Sequence, residues 1–257
     1  MRAWLVIVPV VLVTLLGIPL QWLSVALRLP TRRTIPVLYH RLVLALIGVR
    51  VRVVGAPAPA RPLLIVANHV SWLDILVLGS RLPLCFVAKS EVARWPGIGL
   101  LAKLQRTIFV DRTSRTATGR VAGEMAARMN DGDPVVLFAE GTSSDGNRVL
   151  PFRSALIGAA RQGMGEEEGA AAAIQPLAIA YIGLSGLPVG RAGRPHLAWY
   201  GDMDLAPHLM EVLRRGGVEV ELRFGTPLAA SGRKAAAQEA ERAVRHMLAQ
   251  ALNGRHC

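Results

Sequence analysis

The opening segment constrains the chain more than any other. From Ala3 to Leu27 the sequence is almost wholly apolar, broken only by Thr14, Gln21 and Ser24, and it carries no charge. A helix of that length crosses the hydrocarbon core of a bilayer. Pro9, Gly17 and Pro19 predict a kink, or a re-entrant hairpin, within it. A cleaved leader is the weaker reading: one arginine precedes the run, the run exceeds a usual leader core, and Ser24-Val25-Ala26 leads straight into basic sequence. Arg28, Arg32, Arg33 and Arg41 follow it, against Arg2 alone before it. That asymmetry predicts an inner-membrane attachment with the rest of the chain facing the cytoplasm. Leu42 to Val49 is apolar but too short to span, and suits the interface or the start of a core.

Composition agrees. Hydrophobic residues make up 52% of the 257 and mean hydropathy is +0.36, too apolar for an average soluble enzyme, yet no second long run appears. The net charge of +12 points to an anionic partner: phospholipid headgroups, an acidic carrier protein or nucleic acid. Cys85 and Cys257 form no disulfide framework and no metal-ligand spacing, which fits a reducing compartment.

Beyond the first 48 residues, taken as a membrane-attached helical segment, residues 49–257 read as one globular domain. Val49 to Val53 alternates Val and Arg, a strand with one wet face. Leu63 to Ala67, Leu84 to Ala88, Thr107 to Val110, Val135 to Ala139 and Ile174 to Ile182 are apolar runs of strand length. Helical stretches at Ser114 to Met129 and Pro151 to Arg161 lie between some of them, and Arg233 to Leu252 is an Ala-rich helix. Gly163 to Gly169 reads as a charged surface loop and Arg191 to Pro195 as a turn. The alternation predicts an α/β fold with a mixed, largely parallel sheet flanked by helices.

The candidate chemistry begins at LLIVANHVSWLD. A strand ends at Ala67, so Asn68 and His69 stand at its carboxyl edge, where open α/β sheets collect their ligands. Ser71 reads as a helix N-cap with Asp74 at the third helical position, a capping-box spacing. Five residues apart on one helix, His69 and Asp74 would face different ways. They meet only if His69 lies in the turn before the helix. Asp74 then fixes the imidazole tautomer and leaves the other ring nitrogen as a base toward a hydroxyl. Three further segments stand out: VVLFAEGTSSDG, where a strand ends at Glu140-Gly141-Thr142; TIFVDR, where Arg112 emerges from a short strand; and IQPLAIAY, with Pro176 early in a strand, normally an edge or entry position.

In this order and spacing the four segments resemble the glycerolipid acyltransferase superfamily, which includes the 1-acyl-glycerol-3-phosphate acyltransferases. NHVSWLD matches its Asn-His-x4-Asp block and FAEGTSS resembles its Phe-Pro-Glu-Gly-Thr-Arg block. LAKLQRTIFVDR resembles the block ending in a substrate-binding arginine, and IQPLAIA the late Pro-containing strand. The resemblance implies acyl transfer from acyl-carrier protein or acyl-CoA to the hydroxyl of a lysolipid, with no further cofactor and no metal. It makes His69 the base, Asp74 its partner, and Arg112, Glu140, Gly141 and Thr142 acceptor-binding positions. Backbone N–H groups at the start of the new helix are the expected oxyanion donors.

Departures from the pattern carry information. Ser143 stands where the family usually has arginine, Ala139 replaces its proline, and Arg106 occupies a place often held by glycine. A missing bidentate phosphate partner argues against a phosphate-bearing acceptor. EGTSSDGNRVLPF and AWYGDMDLAPHL look like the branch that acylates lyso-ornithine lipids, with 1-acyl-glycerol-3-phosphate as the alternative acceptor. A lipid hydrolase is a more remote reading, because Gly183-Leu184-Ser185-Gly186-Leu187 lacks the last glycine of the nucleophile elbow. Cys85, in an apolar run, is a poor nucleophile. A basic, membrane-tethered nucleic-acid binder ranks lower still, since the chain shows no recognition helix, zinc module or aromatic RNA-binding signature.

Overall fold

A computed structural model describes residues 2–111, 117–162, 173–228 and 232–254. Its elements run α1 (Arg2–Ala26), α2 (Thr31–Ile47), β1 (Val49–Val54), β2 (Leu63–Ala67), α3 (Leu73–Gly79), β3 (Cys85–Lys89), α4 (Ile98–Leu104), β4 (Ile108–Val110) and α5 (Ala117–Asn130). There follow β5 (Val135–Phe138), α6 (Ser154–Gln162), β6 (Ala173–Leu184), β7 (Leu187–Pro188), α7 (Leu205–Arg215), β8 (Val218–Phe224) and α8 (Arg233–Leu252). The sheet order is β1-β8-β6-β2-β5-β3-β4, with β7 on β6. Among the described residues every pairing is parallel except those of β6 with β7 and β8. The mixed, largely parallel sheet is as expected.

Both faces of the sheet are covered, and the strands show it residue by residue. Leu63, Ile65 and Ala67 of β2 enter one apolar cluster, and Leu64 and Val66 enter the other. In β5, Val136 and Phe138 join the first, and Val135 and Leu137 the second. The first cluster includes residues of α1, α2, α3 and α7, while the second is built with α5, α6 and α8. Burial on both faces turns central strands into continuous apolar runs.

Pro176 does not mark an edge strand. Strand β6 lies between β2 and β8, and the ladder with β8 starts one residue later, at Leu177↔Phe224. Pro176 therefore sits at the entry to that ladder, where its carbonyl accepts the N–H of Gly225 at 2.9 Å. Leu42 to Val49 is likewise no separate segment, since it completes α2, turns at Gly48 and begins β1. The predicted helix from Ser114 is described from Ala117 onward, the helix expected from Pro151 starts at Ser154, and the loop 163–169 lies outside the described residues.

The N-terminal run forms one α-helix through Pro9 and Pro19, paired with α2 as a helical hairpin. Thr14 and Tyr39 hydroxyls meet at 2.9 Å and those of Ser24 and Thr31 at 2.6 Å. The hairpin is tied to the sheet domain at both ends of α1. Arg2 donates to the carbonyls of Ile47 and Leu213, and Gln21 Nε2 donates to those of Leu104 (2.9 Å) and Arg32 (3.1 Å). Two of the arginines that follow the run hold it down as well. Arg32 pairs with Asp131 and Arg33 with buried Asp133, each at 2.7 Å.

The opposite face of α1 is bare: Trp4, Leu5, Leu12, Leu15, Leu16, Leu20 and Trp22 are all more than half exposed. By length and composition α1 is apolar enough to cross a membrane.

Candidate active site

Strand β2 delivers Asn68 and His69 to the carboxyl edge of the sheet. Asn68 extends the ladder with its side chain: its amide donates to the Ile179 carbonyl at 3.0 Å and accepts the Ile179 N–H at 2.8 Å. His69 follows in the turn, before α3 begins at Leu73. Its Nδ1 lies 2.8 Å from Asp74 Oδ2. The expected meeting of the two side chains off the helix is what the backbone builds.

The cap is made differently from the expectation. Trp72, not Ser71, occupies the residue before the helix, and the Ser71 hydroxyl makes no capping bond. Asp74 reaches back instead, accepting the N–H groups of Val70 (2.7 Å) and Ser71 (3.0 Å) on Oδ2. One carboxylate thus satisfies backbone donors at the helix start and orients the imidazole. Those two N–H groups are consequently engaged.

A second carboxylate holds the main chain of His69. Glu140 is buried, and its two oxygens accept the N–H of His69 at 3.1 Å and of Leu150 at 2.8 Å. Burial pushes its pKa up to about 8, aided by the charge of Asp74 and opposed by the two backbone donors. Its carboxylate faces the main chain, whereas Gly141 and Thr142 beside it line the cavity. Gly141 takes φ 74°, a left-handed turn that favours glycine. The His69 ring stacks on Phe138 with centroids 4.0 Å apart, and the His69 carbonyl accepts the Ser144 N–H at 2.9 Å. Arg112 lies outside the described residues.

His69 opens on a cavity of about 640 Å³, within the usual range of ligand pockets. Its walls are mostly apolar and come from distant parts of the chain: Val10 and Ile18 of α1, Val43 of α2, Leu101 of α4, Leu209 of α7 and Trp72. Trp72 is fixed by its indole N–H, which donates to Nδ1 of His208 at 3.0 Å. Trp95 and Trp199, which also line the cavity, meet edge to face.

The departures noted in sequence have structural counterparts. Ser143 Oγ donates to the Trp199 carbonyl at 2.5 Å, so a short side chain ties down the segment over the site. Arg106 adopts φ 60°, the conformation glycine tolerates best, and is held there by Asp133 at 2.7 Å. Cys85 is fully buried and its thiol is pushed up to about 11 by burial. It does not line the cavity.

Sequence reasoning missed Tyr181, whose phenol donates to Asp74 Oδ1 at 2.7 Å. The only early signal was a large polar aromatic in an otherwise apolar strand.

A histidine–carboxylate pair whose histidine lines a large, mostly apolar cavity suits transfer of an acyl chain, and comparison with known proteins agrees. The acyltransferase family model matches residues 50–180. The chain belongs to the acyltransferase family. This acyltransferase is 47% identical to the lyso-ornithine lipid O-acyltransferase of Brucella abortus, over 99% of this chain and 96% of that one. It is 31% identical to a 1-acyl-sn-glycerol-3-phosphate acyltransferase of Neisseria gonorrhoeae, over 66% of this chain and 63% of that one. Its fold is that of the 1-acyl-sn-glycerophosphate acyltransferase from Thermotoga maritima, with TM-score 0.60 and 19% identity over all of both chains.

Proposed function

We propose that this acyltransferase moves a fatty acyl chain from acyl-carrier protein or acyl-CoA to the hydroxyl of lyso-ornithine lipid, as a step of membrane lipid synthesis. The observation that carries the reading is the His69–Asp74 pair opening on the apolar cavity. The cavity holds the acyl chain with its thioester carbonyl at His69. Nε2 of His69 takes the acceptor hydroxyl proton as the oxygen attacks that carbonyl. The tetrahedral intermediate collapses, the carbon–sulfur bond breaks, and the imidazolium returns the proton to the leaving thiolate. The products are the acylated lipid and the free thiol. No acyl-enzyme and no metal or organic cofactor takes part. Glu140 supports the main chain of the base, while Gly141, Thr142 and Arg112 remain the acceptor-binding positions.

The choice of acceptor rests on Ser143, which engages Trp199 and supplies no cation where the family carries a guanidinium. The near full-length likeness to the Brucella relative points the same way. The bare face of α1 attaches the enzyme to the inner membrane from the cytoplasmic side. Because both ends of α1 are bonded to the catalytic domain, the helix lies along the domain with its apolar face in one leaflet instead of crossing.

The test is an assay of purified protein with lyso-ornithine lipid and 1-acyl-glycerol-3-phosphate side by side, each with both thioester donors. Lyso-ornithine lipid should have the higher kcat/KM. A clear preference for the phosphate acceptor overturns the assignment.

A further inference from the structure

Asp74 is fully buried, and its two oxygens do different work. Oδ2 receives the His69 ring nitrogen and the N–H groups of Val70 and Ser71. Oδ1 accepts the Tyr181 phenol at 2.7 Å. A carboxylate oxygen buried without a donor is costly, and so is a buried phenol without an acceptor. The bond spans 107 residues of sequence. It exists because β6 lies beside β2 and the alternation of β6 turns Leu177, Ile179 and Tyr181 toward the face that carries the site.

We propose that Tyr181 is a positioning residue that sets the strength of the base through Asp74. Donation to Oδ1 fixes the plane of the carboxylate, so that Oδ2 points at His69 Nδ1. It also spreads the carboxylate charge, which reduces the attraction Asp74 exerts on the imidazolium formed during transfer. The phenol serves as a lasting donor, because burial first, and then the charge of Asp74, raise its own pKa well above the ordinary value. The other polar groups about the pair are few. The Ser71 hydroxyl is buried nearby and makes no hydrogen bond among the described residues. Glu140, just beyond β5, feels the charges of Asp74 and of Arg245 on α8. His69 is the remaining titratable partner. This role rests on the reading of His69 as the base.

Tyr181→Phe keeps the ring and removes the donor. The experiment measures kcat and KM against pH for wild type, Tyr181→Phe and His69→Ala, using whichever lysolipid the wild type acylates. With the donor gone, Asp74 holds the imidazolium more tightly, so the acid limb of the kcat/KM profile moves to higher pH. We expect kcat near neutral pH to fall about tenfold, the scale of one charged hydrogen bond, with KM little changed. Replacing Tyr181 by 3-fluorotyrosine, a stronger donor of nearly the same shape, should move the limb to lower pH. That variant decides the matter if Tyr181→Phe does not fold. An acid limb at the same pH in both variants overturns the proposal, even if activity falls, because loss of packing alone does not move it. Full activity in His69→Ala would instead sink the reading of the base, a failure visible separately.

Discussion

Glu140 accepts the backbone N–H of His69 at 3.1 Å, while Asp74 engages the ring of the same residue. One carboxylate therefore fixes where His69 stands and the other fixes how its ring points. The pH dependence of stability follows from the first. Glu140 has a pKa raised to about 8 in the fold, from an ordinary 4.5. Between those values the folded protein binds the extra proton, so stability falls as pH rises through that window. His40, lowered from 6.5 to about 4 by burial, acts in the opposite sense below pH 6.5. From pH 6.5 to 8, thermal melts should show the midpoint of wild type falling, and that of Glu140→Gln changing less. Parallel curves would remove Glu140 as the cause.

Ser143 predicts a change of acceptor. Ser143→Arg places a guanidinium at the cavity wall and breaks the bond to Trp199. The ratio of kcat/KM values should shift toward 1-acyl-glycerol-3-phosphate by about tenfold, the scale of one charge-assisted phosphate contact. Competition assays with both lysolipids would read it. An unchanged ratio would show that position 143 does not select the headgroup.

Gly17 predicts a change of acyl chain. It faces the cavity from α1, and the nearest atom to a Cβ added there is Tyr39 Cδ2 at 4.0 Å. Gly17→Phe has room to begin and then fills space meant for the chain, without the helix penalty of glycine. Mass spectrometry of the products should show shorter acyl groups than wild type transfers. The same chain lengths at the same proportions would place the acyl chain elsewhere.

Much of the site was legible because its first half is local. The turn from Ala67 through His69 to Asp74 is contained within eight residues, and the strand that feeds it is a plain apolar run. What supports it was not legible. Glu140 and Tyr181 reach the pair across 71 and 107 residues, and no local pattern reports such contacts. The cap was misassigned for a related reason: Ser71 and Asp74 have capping-box spacing, but Asp74 satisfies the backbone donors alone.

Strand β8 was obscured differently. Its sequence, VEVELRF, carries charges at alternate positions, as a strand with a wet face does. Glu221 and Arg223 are nonetheless buried, paired with each other on the face where α8 packs. The cavity wall was beyond reach of pattern altogether, since α1, α2, α4 and α7 are widely separated along the chain. Only the hairpin docking, fixed by Arg2 and Gln21, makes one wall of them.

The central claim is that His69, oriented by Asp74, is the base for acyl transfer. The most direct measurement is transfer of a labelled acyl group to lyso-ornithine lipid by purified wild type and His69→Ala, with vesicle binding and thermal melting recorded for both. Loss of a general base predicts a fall in kcat of about a hundredfold or more, with membrane attachment and folding unchanged. A His69→Ala enzyme that binds vesicles, melts as wild type does and still turns over at a near-normal rate would contradict the account.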